Sequence, residues 1–106
     1  MDKNEKNEMM KNESQENEFS VNEIANLDYT LAKFILPRLY AFKDLEKQSI
    51  PFGFNDMHEW NRAIQHMIDA FELIMSGDYP LCTCEVSDAI DEGLKLFGKY
   101  FRYLFN

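Results

Sequence analysis

Nothing in this 106-residue chain matches G-x-x-x-x-G-K-[ST], G-x-G-x-x-G, G-x-S-x-G or H-E-x-x-H. The commonest phosphate-binding, dinucleotide-binding, hydrolase and metalloprotease signals are therefore missing. No apolar run approaches the ~20 residues that a membrane-spanning helix needs, and the leading MDKNEKNEMMKNESQ lacks the apolar stretch of a secretory signal. Basic residues are also in the minority: 11 Lys and Arg against 19 Asp and Glu give a net charge of −8. Such a surface repels phosphate, which disfavours direct binding to nucleic acid or to anionic lipid and leaves attraction to basic protein surfaces open. Residues 1–18, with three Lys and six Asp or Glu, contribute −3, and residues 19–106 contribute −5.

Cysteine is scarce as well. Cys82 and Cys84 stand one residue apart, too close for an unstrained disulfide, and a reducing cytosol would keep them as thiols. Zinc sites use C-x₂₋₄-C pairs with a second pair elsewhere, and no second pair is present. The carboxylates of Glu85 and Asp88 nearby repel a thiolate, which argues against a catalytic cysteine. His58 and His66 are eight residues apart, so on a helix they point about 80° away from each other and do not converge. No catalytic residue, metal ligand or cofactor site is expected, and the chain reads as a non-enzyme.

What is present is an apolar share of 45% and an aromatic share of 14%, too much for a disordered protein. Residues 1–18 hold almost only Asn, Glu, Lys, Gln, Ser and Met and read as a disordered, acidic leader, leaving residues 19–106 as one domain. Ser20 and Glu23 form a capping box, with Phe19 and Ile24 placed for the hydrophobic staple. Asp28 offers a second N-cap, followed by an apolar stripe of Leu31, Phe34, Ile35, Leu39, Phe42 and Leu45 that predicts a helix to about Lys47. Pro37 lies inside that helix and should kink or divide it. Pro51 and Gly53 end the segment.

Asp56 and Glu59 then repeat the capping-box logic, and Trp60, Ile64, Met67, Phe71 and Ile74 alternate steps of four and three, widened by Ala63, Ile68 and Met75. Gly77 is placed to end this second helix. A third should start near Thr83 or Ser87 and carry Ile90, Leu94, Phe97, Phe101 and Leu104 almost to Asn106. Gly93 and Gly98 inside it each cost ~1 kcal/mol relative to Ala, so they mark close helix contacts or a dependence on tertiary packing. The expected fold is all-α: an antiparallel three-helix bundle with a kinked first helix and a flexible acidic N-terminal leader.

Two second stripes exceed what one core needs: Tyr29, Leu36 and Tyr40 on the first helix, and Leu96, Tyr100 and Tyr103 on the third, each about 100° from the core residues. Tyrosines of this kind anchor interfaces, so they are candidate contacts for a bound protein or a homodimer, with widening of the core as the alternative. Asp69, Glu72, Asp91 and Glu92 are the candidate electrostatic contacts for a basic partner surface, their alternative being solvated helix faces.

The stretches LDYTLAKFILPRLYAFK (27–43), EW…MIDAFELI (59–74) and GLKLFGKYFRYLF (93–105) resemble a group of small uncharacterised proteins encoded by tailed bacteriophages. The resemblance covers about 70 residues and excludes residues 1–26. It implies a phage or prophage origin and action in the host bacterial cytoplasm, and supplies no site residues. By analogy with small acidic phage proteins, the expected role is stoichiometric binding of a host or phage protein, as an inhibitor of host defence of the anti-CRISPR or anti-restriction type, or of host replication machinery. The alternative is a self-associating structural or assembly subunit of a phage.

Overall fold

Helix starts in this chain are set by side chains that satisfy orphan backbone N–H groups. In the computed structural model, which describes residues 18–77 and 84–106, the Ser20 hydroxyl accepts from the N–H of Glu23 at 3.2 Å and opens α1, Val21–Ala25. Asn26 closes that short helix, and α2 follows at once over Leu27–Asp44. Asp28 lies in the first turn of α2 rather than before it, its carboxylate accepting from the N–H of Tyr29 at 2.7 Å. The expected start at Asp28 is therefore moved back, because the α1 turn already delivers the chain in helical register: the Thr30 N–H reaches the Asn26 carbonyl at 2.9 Å.

At Asp56 the cap is reciprocal. Its carboxylate accepts from the Glu59 N–H at 2.9 Å while the Glu59 carboxylate accepts from the Asn55 N–H at 2.9 Å, and α3, Met57–Ser76, begins there. Gly77 ends it in the left-handed conformation with φ of +80°, which a side chain would resist. The last helix, α4, spans Cys84–Tyr100 and tightens into a 3-10 turn at Phe101–Tyr103. The described residues contain helix and no strand, so the all-α expectation holds. Two compact units are distinguished, one ending at Thr30 and one of Leu31–Asn106, a division that falls within α2.

Within the Leu31–Asn106 unit, α3 supplies most of the core. Trp60, Ile64, Met67, Phe71 and Ile74 are buried as their spacing predicts, with Ala63 and Ile68 beside them and Met75 half-buried. Each large side chain removed from water in this way contributes roughly 1.5–3 kcal/mol. Ile90 and Gly93 are the buried positions of α4. Gly93 lies directly against α3: a Cβ there would overlap the Ala70 Cβ and approach the His66 carbonyl oxygen to 2.5 Å. Of the two readings for the glycines of this helix, close contact is the one that applies to Gly93, whereas a Cβ on Gly98 would meet nothing within 4 Å.

Helix α2 departs from its expected face. Ala32 and Leu39 are buried, and Ile35, Leu36 and Phe42 are half-buried against the core, while Leu31, Phe34 and Leu45 are exposed. The buried face is rotated away from the predicted stripe and includes Leu36, which the spacing places on the outer one. The cause is that α2 is apolar on nearly every side, so spacing alone does not choose which side turns inward. Pro37 does not divide the helix, which is continuous through it; Pro37 is exposed. The expected end at Lys47 is shortened to Asp44, because Lys47 folds back as a cap: its ammonium, on a residue only 8% exposed, donates to the carbonyls of Phe42, Lys43 and Leu45 at 3.0, 2.9 and 3.0 Å.

Candidate functional site

Aromatic side chains of α4 divide between two environments. Tyr100 is half-buried, its ring 5.1 Å from Phe54 and 5.7 Å from Trp60 between centroids, and Leu96 is likewise packed on the core. These two proposed contact residues occupy the edge of the core. Tyr103, 6.1 Å from Tyr100, remains exposed. Along the other face, Phe97 stands between Phe71 at 5.2 Å and Phe101 at 5.5 Å, both edge-on, so a ladder of rings runs from the core to the surface.

That ladder forms one wall of a groove of about 390 Å³. Phe97, Phe101 and Leu104 line it on the α4 side, and Phe34, Arg38 and Phe42 line it on the α2 side. Phe34 and Phe101 are each 59% exposed, although both are large apolar rings. Arg38 is the charged residue of the lining. Its guanidinium stacks 3.8 Å from the centre of the Phe34 ring and donates one N–H to the Phe34 carbonyl at 2.8 Å, which leaves further donors of the fork available at the rim.

The acidic candidates separate by what they already bind. Glu72 accepts from the hydroxyl of Tyr40, linking α3 to α2. Asp69 accepts from the Gln65 amide at 2.9 Å, and Gln65 in turn accepts from the Lys43 ammonium at 2.8 Å, a second link between the same helices. Asp91 and Glu92, midway along α4, are exposed, and their side chains make no hydrogen bond or ion pair to a described residue. Tyr29 is exposed at the start of α2, in the unit that ends at Thr30.

His58 and His66 are both exposed and lie on α3 without converging, and Cys84 is an exposed free thiol at the first position of α4. Cys82 and residues 1–17 of the leader lie outside the described residues. Among the described residues no three His, Cys, Asp or Glu side chains gather as a metal cluster, and no helix is long and apolar enough to cross a membrane.

Spacing alone hides the groove, because it assigns Phe34 and Phe101 to the core. A signal for it is present in the excess of apolar residues on α2: Leu31, Phe34 and Leu45 cannot share one inward face with Ala32, Ile35, Leu36 and Leu39.

No protein-family model, no curated protein and no solved structure matches this chain.

Proposed function

We propose that the chain is a non-catalytic phage accessory protein, built as an antiparallel three-helix bundle, that acts by stoichiometric binding of another protein. The binding serves to inhibit host defence, in the anti-CRISPR or anti-restriction manner, or host replication machinery, in the host bacterial cytoplasm. What carries this reading is the contrast among the acidic side chains: Glu72 is engaged by Tyr40 across to α2 and Asp69 by Gln65 on its own helix, whereas the carboxylates of Asp91 and Glu92 are exposed on α4 and bond to no described residue. With a net charge of −8, a basic surface on the partner is the complementary chemistry. The phage origin rests on the three sequence stretches that resemble phage proteins.

Affinity capture from a phage-susceptible host lysate, comparing the wild-type chain with an Asp91→Lys/Glu92→Lys variant, tests the reading. A protein held in stoichiometric amount by the wild type and lost from the variant is the expected outcome. Equal capture by both removes the acidic face from the proposal.

A second reading, a self-associating structural or assembly subunit, is favoured by one specific observation: the exposed rings of Phe34 and Phe101 on a common groove. Isolated apolar side chains are ordinary on protein surfaces, whereas two large rings with Phe97 and Leu104 between the same walls form a patch that association would cover.

A further inference from the structure

We infer that the groove between Phe34 and Phe101 is the docking surface for a second copy of this chain, and that the second copy fills it with its segment Glu18–Leu27. Groove and segment are complementary in charge and in shape. On the groove side the lining is apolar except for Arg38, and exposed cations adjoin both walls: Lys33 precedes Phe34 and Arg102 follows Phe101. The occupant that suits such a site is a short amphipathic helix with apolar side chains along one face and carboxylates beside them.

The chain carries such a segment. Phe19, Ile24 and Leu27 are large, exposed apolar residues of the unit ending at Thr30, with Glu18 and Glu23 among them. Between Lys11 and Lys33 the sequence has no Lys or Arg at all, so the charges of the segment are all acidic, whereas the charge in the groove lining is that of Arg38. Helix α1 is only Val21–Ala25 and buries no residue of its own, although Ser20 caps its start. A helix little more than one turn long that buries nothing gains little from its own propensity, and a second copy would supply the missing apolar contact. The exchange is reciprocal: each copy offers one groove and one segment, the closed two-fold arrangement that is commonest among soluble oligomers. Such a dimer is separate from the proposed capture of a host protein, since it leaves the acidic face of α4 as it is.

Sedimentation velocity on the full chain at low ionic strength, over a range of concentrations, reads the association directly. A dimer is expected, its population rising with concentration. Phe34→Asp and Phe101→Asp should each weaken it by roughly tenfold or more while retaining helical circular dichroism, since both rings are more than half exposed. Arg38→Glu and Glu23→Lys should each weaken it as well, and an equimolar mixture of those two variants should restore the dimer. In the mixture one interface brings the two substituted positions together, again opposite in charge, and the other keeps Arg38 against Glu23, whereas each variant alone opposes like charges. A wild-type chain that stays monomeric throughout overturns the proposal. So does a dimer indifferent to Phe34→Asp and Phe101→Asp, and a mixture that stays as dissociated as its components removes the assigned segment.

Discussion

The hydroxyl of Tyr40 on α2 donates to the carboxylate of Glu72 on α3, so two residues that would both serve an outside partner serve each other. The pair stands beside the Lys43–Gln65–Asp69 relay, and together these polar links hold α2 against α3 at the protein surface. Because both groups are exposed, the bond should be worth only about 0.5–1 kcal/mol. Tyr40→Phe and Glu72→Met should each lower stability by that amount in urea unfolding. The double variant should cost clearly less than the sum of the two, and strict additivity would show that the link contributes nothing.

Gly93 and Gly98 allow a sharper comparison, since one helix carries both. At Gly93 a methyl group collides with Ala70 and with the His66 backbone, and backbone cannot give way as a side-chain tip can. Gly93→Ala should therefore destabilise the protein by about 1–3 kcal/mol through the forced separation of α3 and α4. At Gly98 the space is open, so Gly98→Ala should raise stability by a few tenths to about 1 kcal/mol through helix propensity alone. Thermal melts of the two variants should move in opposite directions.

How much of this was legible in the sequence differs by helix, for a physical reason. On α3 polar and apolar residues alternate cleanly, so Trp60, Ile64, Met67, Phe71 and Ile74 could be placed in the core from spacing, and Asp56, Glu59 and Gly77 marked both ends. On α2 the apolar residues nearly encircle the helix, and spacing does not choose between Leu31 and Phe34 on one side and Ala32 and Leu36 on the other; packing buries the second pair. Ala32, at 0% exposure, sits where a Leu would not fit without displacing its neighbours. The groove inherits that ambiguity. Its walls are residues whose composition says core and whose position says surface, a distinction that resides in tertiary packing and in no local motif.

Tyr100 and Tyr103 separate a folding role from a surface role. Tyr100 closes the cluster of Phe54 and Trp60, so Tyr100→Ala should cost about 2–4 kcal/mol and blunt the fluorescence shift of Trp60 on unfolding. Tyr103, exposed and touching the cluster only through Tyr100, should tolerate Ala at a cost below about 1 kcal/mol. Loss of partner binding in Tyr103→Ala can then be read as a surface effect, whereas the same loss in Tyr100→Ala cannot.

Lys47 sets an expectation for pH. Burial pushes its ammonium below the ordinary lysine value of 10.5; the nearby Asp44 charge pulls the other way, and Lys43 adds to the lowering. Below the folded-state value both the folded and unfolded chains hold the proton, and the cost of burying the charge is present in full. Between that value and 10.5 the unfolded chain binds the proton more tightly than the folded one, so stability gains with rising pH across this window. The gain is limited by the three carbonyls at the end of α2, because a neutral amine has two N–H donors for three acceptors. Lys47→Met removes the titrating group, whose ammonium stands 5.2 Å from the centre of the Phe42 ring, while retaining an apolar side chain of similar length. Urea unfolding at neutral pH and at successive values toward 10.5 should show the stability of the wild type rising relative to that of Lys47→Met. A constant difference between the two proteins would mean that the ammonium is as well solvated in the fold as it is in the unfolded chain.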